Sequence, residues 1–280
     1  LIAFGFESEF VGRLPVRAVF EHLTEDDLYQ ILKNPNNPIV LGKKLDFASY
    51  GIEVKFEDQL LRMLAKHAFA ENTGARGLVS AVEKALLDFE RKLPSSGINK
   101  FPATKAIVDH PAAFLKTITA ESKKQATHQL FDRLIQQEKD SIKNYLQDNQ
   151  KSMAEKYNLT MTPSRIDIVA ACYTKSTLDI SRVIKKIKSH YDDVKKIELT
   201  FFKNHDINIV LEEDAIDFII EKLIESPFEF KDVNEKIDQD FQHGLKLARE
   251  KTNRNRFFIT RQALLDPEGY VSELIRDQIK

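Results

Sequence analysis

One arrangement of apolar residues occurs twice in this chain, at an offset of about 155 residues. Residues 52–56 alternate apolar and charged side chains, as a half-buried strand does, and Glu57 and Asp58 then start a helix. Residues 207–211 repeat the alternation, and acidic residues at 212–214 repeat the helix start. After a break, each copy continues with apolar residues at near-helical spacing. These residues are Leu78, Val82, Leu86 and Phe89 in the first copy and Val233, Ile237, Phe241 and Leu245 in the second.

The two copies predict an α+β fold that is mainly helical, with short strands in two similar modules. Upstream, residues 199–201 align with residues 45–47. Thr24 is the predicted cap of a helix, and Thr177 precedes a helix in the same way. Downstream, residues 257–260 and 266–268 resemble a short strand predicted at 105–108 and a short helix at 111–118. Coincidence is the alternative, because strand–helix–helix patterns are common. The agreement in order and spacing favours a duplication.

The segment between the copies, residues 121–157, is polar with a thin apolar stripe, which predicts one long helix or a helical hairpin. A solvated spacer is favoured here over a partner-binding coiled coil. Near the start of the chain, a short strand is predicted at 16–20.

Residues 73–78, with the sequence TGARGL, place an arginine in the first turn of a predicted helix. Local physics disfavours Arg76 there, because a helix N-terminus carries partial positive charge and Thr73 as cap favours an acid three residues later. The choice is explained if an anion such as a phosphate shares the site. The alternative is a solvated arginine with a small dipole penalty.

Composition and short motifs argue against several kinds of partner and site. The net charge is −1, and the short basic clusters are interpreted as ordinary solvated surface, so we expect no nucleic-acid partner. No apolar run approaches the length of a membrane span, and no signal peptide is recognised, so we expect no membrane partner and a cytoplasmic location. The single cysteine, Cys172, lies in an apolar setting that suits a buried thiol. The seven histidines show no zinc-site spacing, so no metal site is expected.

Three segments resemble the ClpX family of AAA+ protein-unfolding ATPases, which feed the ClpP protease. They are residues 9–16 (EFVGRLPV), residues 31–37 (ILKNPNN) and residues 73–78, within a similarity that runs from Leu1 to about residue 93. The remainder of the chain is not recognised. The resemblance implies that the chain begins at the end of the large ATPase domain and continues into the small domain.

The resemblance also implies roles for individual residues. Arg13 would be the catalytic arginine finger that reaches the nucleotide of the neighbouring subunit, and Arg76 would be the sensor-2 arginine of its own subunit. Gly74, Ala75 and Ile31 would join Arg76 as nucleotide-binding residues. A guanidinium suits both roles because it is permanently charged and forks onto phosphate oxygens. The implied cofactor is ATP or ADP with magnesium, in a parent protein that forms a homo-oligomeric ring, a hexamer by resemblance, and handles protein substrates with a ClpP-like peptidase.

The chain also departs from that family. It has no phosphate loop of the form GxxxxGK followed by Ser or Thr, so this polypeptide is not expected to bind ATP tightly or hydrolyse it alone. We expect it to be the C-terminal part of a longer ATPase. In the second copy Arg76 corresponds to Lys231, which acids flank, so that copy is expected to lack nucleotide function. The alternative function is a non-catalytic interaction or adaptor module.

Together these arguments predict four regions. Residues 1–16 are the end of a AAA+ large domain, and residues 17–120 are the AAA+ small domain. Residues 121–160 are a helical connector, and residues 161–280 are a degenerate small-domain-like repeat.

Overall fold

The computed structural model describes residues 1–16, 18, 19, 21–120, 124–225 and 229–276. In these residues the chain is mostly helical with a few short strands, which confirms the predicted fold class. A 3-10 turn at Ile2–Phe4 precedes the first helix. The helices are α1 (Ser8–Gly12), α2 (Glu25–Lys33), α3 (Pro38–Ser49), α4 (Asp58–Ala70), α5 (Arg76–Lys92), α6 (Ala106–Asp109), α7 (Pro111–Thr119), α8 (Lys124–Asp148), α9 (Gln150–Tyr157), α10 (Pro163–Lys175), α11 (Ile180–His205), α12 (Glu213–Glu225), α13 (Phe230–Thr252), α14 (Arg261–Leu265) and α15 (Pro267–Arg276), and the strands are β1 (Glu53–Phe56), β2 (Lys100–Ala103), β3 (Asn208–Leu211) and β4 (Arg256–Ile259).

The first module, which we define as α2 through α7, is built on the parallel pair β1–β2. The register runs from Glu53 opposite Lys100 to Phe56 opposite Ala103. Helices α4 and α5 connect the two strands, because parallel strands need a long crossover. They pack with α2 and α3 around a core. Its largest buried side chains are Tyr29, Phe47, Phe89, Phe101, Leu28, Leu32, Ile52, Leu60 and Leu64.

The second module, α11 through α15, repeats this arrangement. Strand β3 pairs in parallel with β4, from Asn208 opposite Arg256 to Leu211 opposite Ile259. Helices α12 and α13 make the crossover, and two short helices follow β4 as α6 and α7 follow β2. The element order of the two copies corresponds as predicted, and the structure adds that both strand pairs are parallel. Its core contains Ile184, Ile187, Ile197, Phe201, Ile216, Ile220, Ile237, Phe241, Leu245, Phe257 and Ile259.

The modules differ at their first helices. In the first module α2 ends before the proline-rich stretch 34–38 and α3 starts again at Pro38. In the second module a single uninterrupted helix, α11, packs against both the strand β3 and the helix α12. Its N-cap is Asp179, whose carboxylate accepts from the Arg182 backbone N–H at 2.8 Å, and not the predicted Thr177. In the first module the predicted cap is confirmed, because Thr24 and Asp27 form a reciprocal capping box.

The helices that link the modules are packed and not solvated. Phe131 and Leu134 of α8 are buried where this helix crosses β1 and β2. Farther along α8, Ile142 and Leu146 belong to the core of the second module. The prediction of a solvated spacer was therefore wrong, because the thin apolar stripe covers two different surfaces in succession. The segment is helical, as predicted, but it is divided into α8 and α9, which meet at Asn149.

Two predicted strands are corrected. Residues 105–108 belong largely to the short helix α6, and the strand lies earlier, at Lys100–Ala103. That strand contains Pro102, which lacks an N–H and argues against a strand in sequence; a two-stranded sheet tolerates it because each strand has a free edge. Val16, Ala18 and Val19 are not in a strand, and the remaining positions of the predicted strand at 16–20 lie outside the described residues. No helix in the described part of the chain is apolar over a length sufficient to cross a bilayer.

Candidate functional site

The turn that precedes α5 leaves the start of this helix uncapped. Gly74 takes a left-handed conformation with φ of +64°, which favours glycine because a Cβ is disfavoured there. Ala75 is the N-cap, it offers no side-chain hydrogen bond, and no acidic residue lies in the first turn. The Thr73 side chain, predicted as the cap, does not cap this helix. Two of the first N–H groups of α5 bond to carbonyl oxygens of the turn, Gly77 to Gly74 at 3.0 Å and Leu78 to Ala75 at 3.2 Å. No acidic side chain in the first turn offsets the positive end of the helix dipole.

Arg76 is the first residue of α5 and its side chain is exposed. It makes no hydrogen bond, ion pair or ring contact within the part of the chain that the structure describes. An unpaired guanidinium beside an uncapped helix start concentrates positive charge at one point, and that arrangement suits an anion.

Gly77 fixes how this turn sits on α4. A Cβ at this position would lie 2.7 Å from the Thr73 hydroxyl oxygen and 3.0 Å from the Ala68 carbonyl oxygen. The first turn of α5 therefore approaches the end of α4 more closely than a side chain allows. Both glycines of the segment 73–78 have structural reasons for their identity, one in the turn and one in helix packing.

Ile31 is half-buried in α2, where its side chain packs against the first core. Its carbonyl oxygen accepts a hydrogen bond from the Asn37 side-chain amide. Among the described residues, no hydrogen bond or ion pair joins Ile31 to the turn that carries Arg76. The structure therefore supports a packing role for Ile31 and leaves its nucleotide role a prediction.

Arg13 follows directly after α1 and pairs with Glu9 at 2.7 Å. The two side chains are 78% and 76% exposed, so this ion pair contributes little to stability. Arg13 makes no direct contact with Arg76 among the described residues. Several large apolar side chains in the same segment are exposed as well. They are Leu1, Ile2, Phe4, Phe6, Phe10, Val16 and Val19.

The start of α13 shows what the equivalent position looks like when it is capped. Glu229 and Asp232 form a reciprocal capping box, and Asp232 lies in the first turn. Lys231 is exposed and lies 3.6 Å from the Glu235 carboxylate. Negative charge from the chain itself occupies the region that is open at Arg76, so an added anion is disfavoured here, as the sequence predicted.

Sequence reasoning missed a buried group of charges between the first module and α8. The Glu138 carboxylate receives Lys44 at one oxygen and Lys55 at the other, the latter at 2.8 Å. Lys55 also donates to the Thr174 carbonyl oxygen of α10 at 2.6 Å. Burial alone raises the pKa of Glu138, but the charges and hydrogen bonds of the two lysines outweigh it, so that pKa lies below its ordinary value.

A second buried group joins α10 to the second module. Arg165 of α10 is fully buried and binds Asp217 at 2.9 Å and Glu213 at 2.7 Å. It also donates to the Thr160 carbonyl oxygen at 2.5 Å. Every nitrogen of this buried guanidinium has a partner within the chain, so the group is structural.

Two further observations concern other possible sites in the molecule. A cleft of about 850 Å³ lies between α2, α3 and α8, but none of residues 73–78 lines it. Within the described residues, no group of His, Cys, Asp and Glu side chains is arranged to hold a metal ion. The turn at Arg76 therefore remains the strongest candidate for anion binding.

Comparison with known proteins places the first module in a family. Residues 23–98 match the family described as the C-terminal, D2-small domain of ClpB protein. The ATP-dependent Clp protease ATP-binding subunit ClpX of Borrelia duttonii is 42% identical over 106 residues, which are 38% of this chain and 25% of that protein. Its namesake in Treponema denticola is 37% identical over 95 residues, 34% of this chain and 23% of that protein.

A third relative is the mitochondrial ATP-dependent clpX-like chaperone of Saccharomyces cerevisiae, 34% identical over 109 residues, 39% of this chain and 21% of that protein. The matches confirm the predicted similarity to the C-terminal part of ClpX-like AAA+ ATPases, and the matched residues lie largely in the first module. The chain spans about a quarter of the length of these relatives.

Proposed function

We propose that this chain is the C-terminal part of a ClpX-like AAA+ protein unfoldase subunit, in which Arg76 acts as the sensor-2 residue of its own nucleotide site. One observation carries the proposal: Arg76 is exposed and unpaired at a helix start that has no acidic residue and no side-chain cap. The guanidinium and the positive end of the helix dipole both favour a phosphate. Two of the relatives are named as ATP-binding subunits, which supports ATP or ADP with magnesium as the ligand.

The residues around Arg76 fit that ligand in different ways. Gly74 allows the tight turn, and Ala75 adds no bulk or negative charge at the helix start. Bound ATP would supply the phosphoryl group, and the residues around Arg76 would contribute binding and orientation. Ile31 would line the nucleotide from α2.

Arg13 is proposed as the arginine finger toward a neighbouring subunit. Its present partner, Glu9, is held in an exposed ion pair that water and salt weaken, so exchanging it for a phosphate costs little. Because a guanidinium supplied in trans stabilises charge in the transition state, Arg13 would affect turnover more than ground-state binding.

The assembly follows from the same proposal. The parent would form a homo-oligomeric ring, a hexamer by resemblance, that acts on protein substrates and can engage a ClpP-like peptidase. The exposed apolar side chains of residues 1–19 support burial of this segment against other parts of such an assembly. The second module would bind a partner or substrate or brace the ring. The domain boundaries and the cytoplasmic location remain predictions.

The test uses the full-length parent protein. Arg76→Ala should weaken ATP binding by about tenfold, the scale of one lost charge-assisted contact, as measured with a fluorescent nucleotide. Lys231→Ala is the matched control, since this residue occupies the corresponding position beside acids, and it should leave ATP affinity and hydrolysis unchanged.

Arg13→Ala should lower the ATP turnover number by roughly a thousandfold while ATP affinity stays within experimental error. Unchanged kinetics in both arginine variants would refute the assignment. A parent sequence without a phosphate-loop motif upstream of residue 1 would also refute it. The chain would then be a non-catalytic interaction module, the alternative that its second module favours.

A further inference from the structure

The outer face of the first sheet is covered, whereas the outer face of the second sheet is exposed. Strand alternation places Lys55 and its register partner Pro102 on the face that points away from the first core, and both are buried. In the second module Val210 and its register partner Phe258 occupy the same places. Val210 is only half-buried, and Phe258 is 48% exposed.

Helix α8 covers the outer face of the first sheet, and its side chains show which kind of helix can pack on such a face. Phe131 is fully buried there, with the Lys100 ammonium 5.5 Å from its ring centre. The next residue, Asp132, lies 3.7 Å from the same ammonium. Glu138, almost two turns farther along, binds Lys55. The occupant is thus an amphipathic helix that presents an aromatic residue, an adjacent acid and a second acid above the sheet.

The second sheet has a cation at the corresponding edge position but lacks the buried lysine. Arg256 stands where Lys100 does, at the first position of the second strand. Its guanidinium lies 5.2 Å from the Phe258 ring centre, and no carboxylate pairs with it among the described residues. The buried lysine of the first sheet is replaced by Val210. This face is therefore an apolar strip with an unpaired cation at its edge.

We propose that the open sheet face, defined by Val210, Arg256 and Phe258, binds an amphipathic helix of a partner protein. Charge complementarity defines that helix: an acid to pair with Arg256, and an apolar residue at the place where α8 carries Glu138, because Val210 cannot pair with a carboxylate. A second copy of this chain is a poorer occupant, since its own α8 is already buried against its own first module. The proposal does not depend on nucleotide binding.

A peptide built from α8 tests this chemistry on the full chain. The probe is a fluorescein-labelled peptide with the sequence of residues 124–148 and the substitution Glu138→Leu, followed by fluorescence anisotropy. We expect saturable binding, and weaker binding of the peptide that retains Glu138. In the chain, Phe258→Glu should raise the Kd by about tenfold or more, as loss of a central aromatic contact does. Leu247→Glu, an equally exposed position on α13, is the control and should leave the Kd unchanged.

A charge exchange separates docking from altered folding. Arg256→Glu should raise the Kd several-fold, and a peptide that also carries Asp132→Lys should recover the affinity for that variant alone. The proposal is overturned if the peptide does not bind, or if Phe258→Glu and Leu247→Glu behave alike. It is also overturned if sedimentation shows a dimer of this chain that Phe258→Glu dissociates, because the occupant would then be a second copy.

Discussion

The two modules share their element order and parallel strand register, yet they differ at the start of the crossover's second helix and on the outer sheet face. In the first module the start of α5 is open to an anion and the sheet is covered by α8. In the second module the start of α13 carries its own acids and the sheet is open. Apolar spacing preserves the core in both copies, so the differences are concentrated at positions that the core does not determine.

This comparison separates stability from binding. The second module has a complete capping box at Glu229 and Asp232, of the kind that stabilises a helix by about 1 kcal/mol. The first module lacks such a cap at α5 and leaves Arg76 without a partner. A local rule that is broken in one copy and obeyed in the other is what a functional site is expected to show, so the position of Arg76 stays the predicted site.

The largest effect is expected where the first sheet meets α8. Glu138→Ala should lower the free energy of unfolding by about 3–5 kcal/mol, because it leaves Lys44 buried without a carboxylate and Lys55 with only the longer ion pair to Glu53. Urea denaturation followed by circular dichroism measures this loss. Asp132→Ala, which removes a longer and more exposed ion pair on the same helix, should change stability by less than about 1 kcal/mol. Equal effects of the two variants would show that the covered face is not held by the buried charges.

A smaller effect is expected at the glycine that seats α5. Gly77→Ala should destabilise the chain by about 1–3 kcal/mol, because the added methyl meets Thr73 and the Ala68 carbonyl oxygen. Thermal unfolding measures the change. Gly42→Ala is the control: this helix position has open space around it, and we expect about 0.5–1 kcal/mol of stabilisation there. If Gly77→Ala leaves the thermal stability unchanged, the turn accommodates the methyl group. Glycine would then not be required at this position, where the second module has Asp232.

The smallest effect concerns pH. The pKa of Glu138 is held below its ordinary value of 4.5, so its ionised form stabilises the folded state above that pH. The contribution is lost as the pH falls through the lowered folded-state pKa. The stability difference between the chain and Glu138→Gln should therefore be constant near neutrality and shrink below about pH 4.5. A difference that stays constant to pH 3 would mean that Glu138 does not titrate with folding.

Local patterns were sufficient to predict much of the fold. The capping residues of α2, the alternation in β1 and the apolar spacing of α4 and α5 are short-range signals, and the structure has each element close to the predicted position. Strand β2 was misplaced because Pro102 hides it. The continuity of α11 was not predicted, because the first copy has a proline-containing break at the equivalent place.

The buried charges could not be predicted from sequence. Lys55 alternates with apolar residues in β1, which predicts a solvated side chain, and its partner Glu138 lies 83 residues away on a polar helix. Burial of both depends on the packing of α8 over the sheet, and no local pattern encodes that. For the candidate site, the exposure of Arg76 fits both the anion-binding prediction and the alternative of a solvated arginine. The nucleotide roles of Arg13, Arg76, Gly74, Ala75 and Ile31 depend on groups outside this chain and stay predictions.

The distance along the chain between Lys55 and Glu138 has a consequence for synthesis. After Lys55 is added to the chain, 83 further residues must be added before its partner Glu138 exists. At about 5–20 residues per second this takes roughly 4–17 seconds. Once β2 has been made, and until α8 covers it, the nascent first module exposes the outer face of its sheet to water and to other proteins, with Lys55 lacking the Glu138 carboxylate. The newborn first module thus passes through the open state that its second copy keeps permanently.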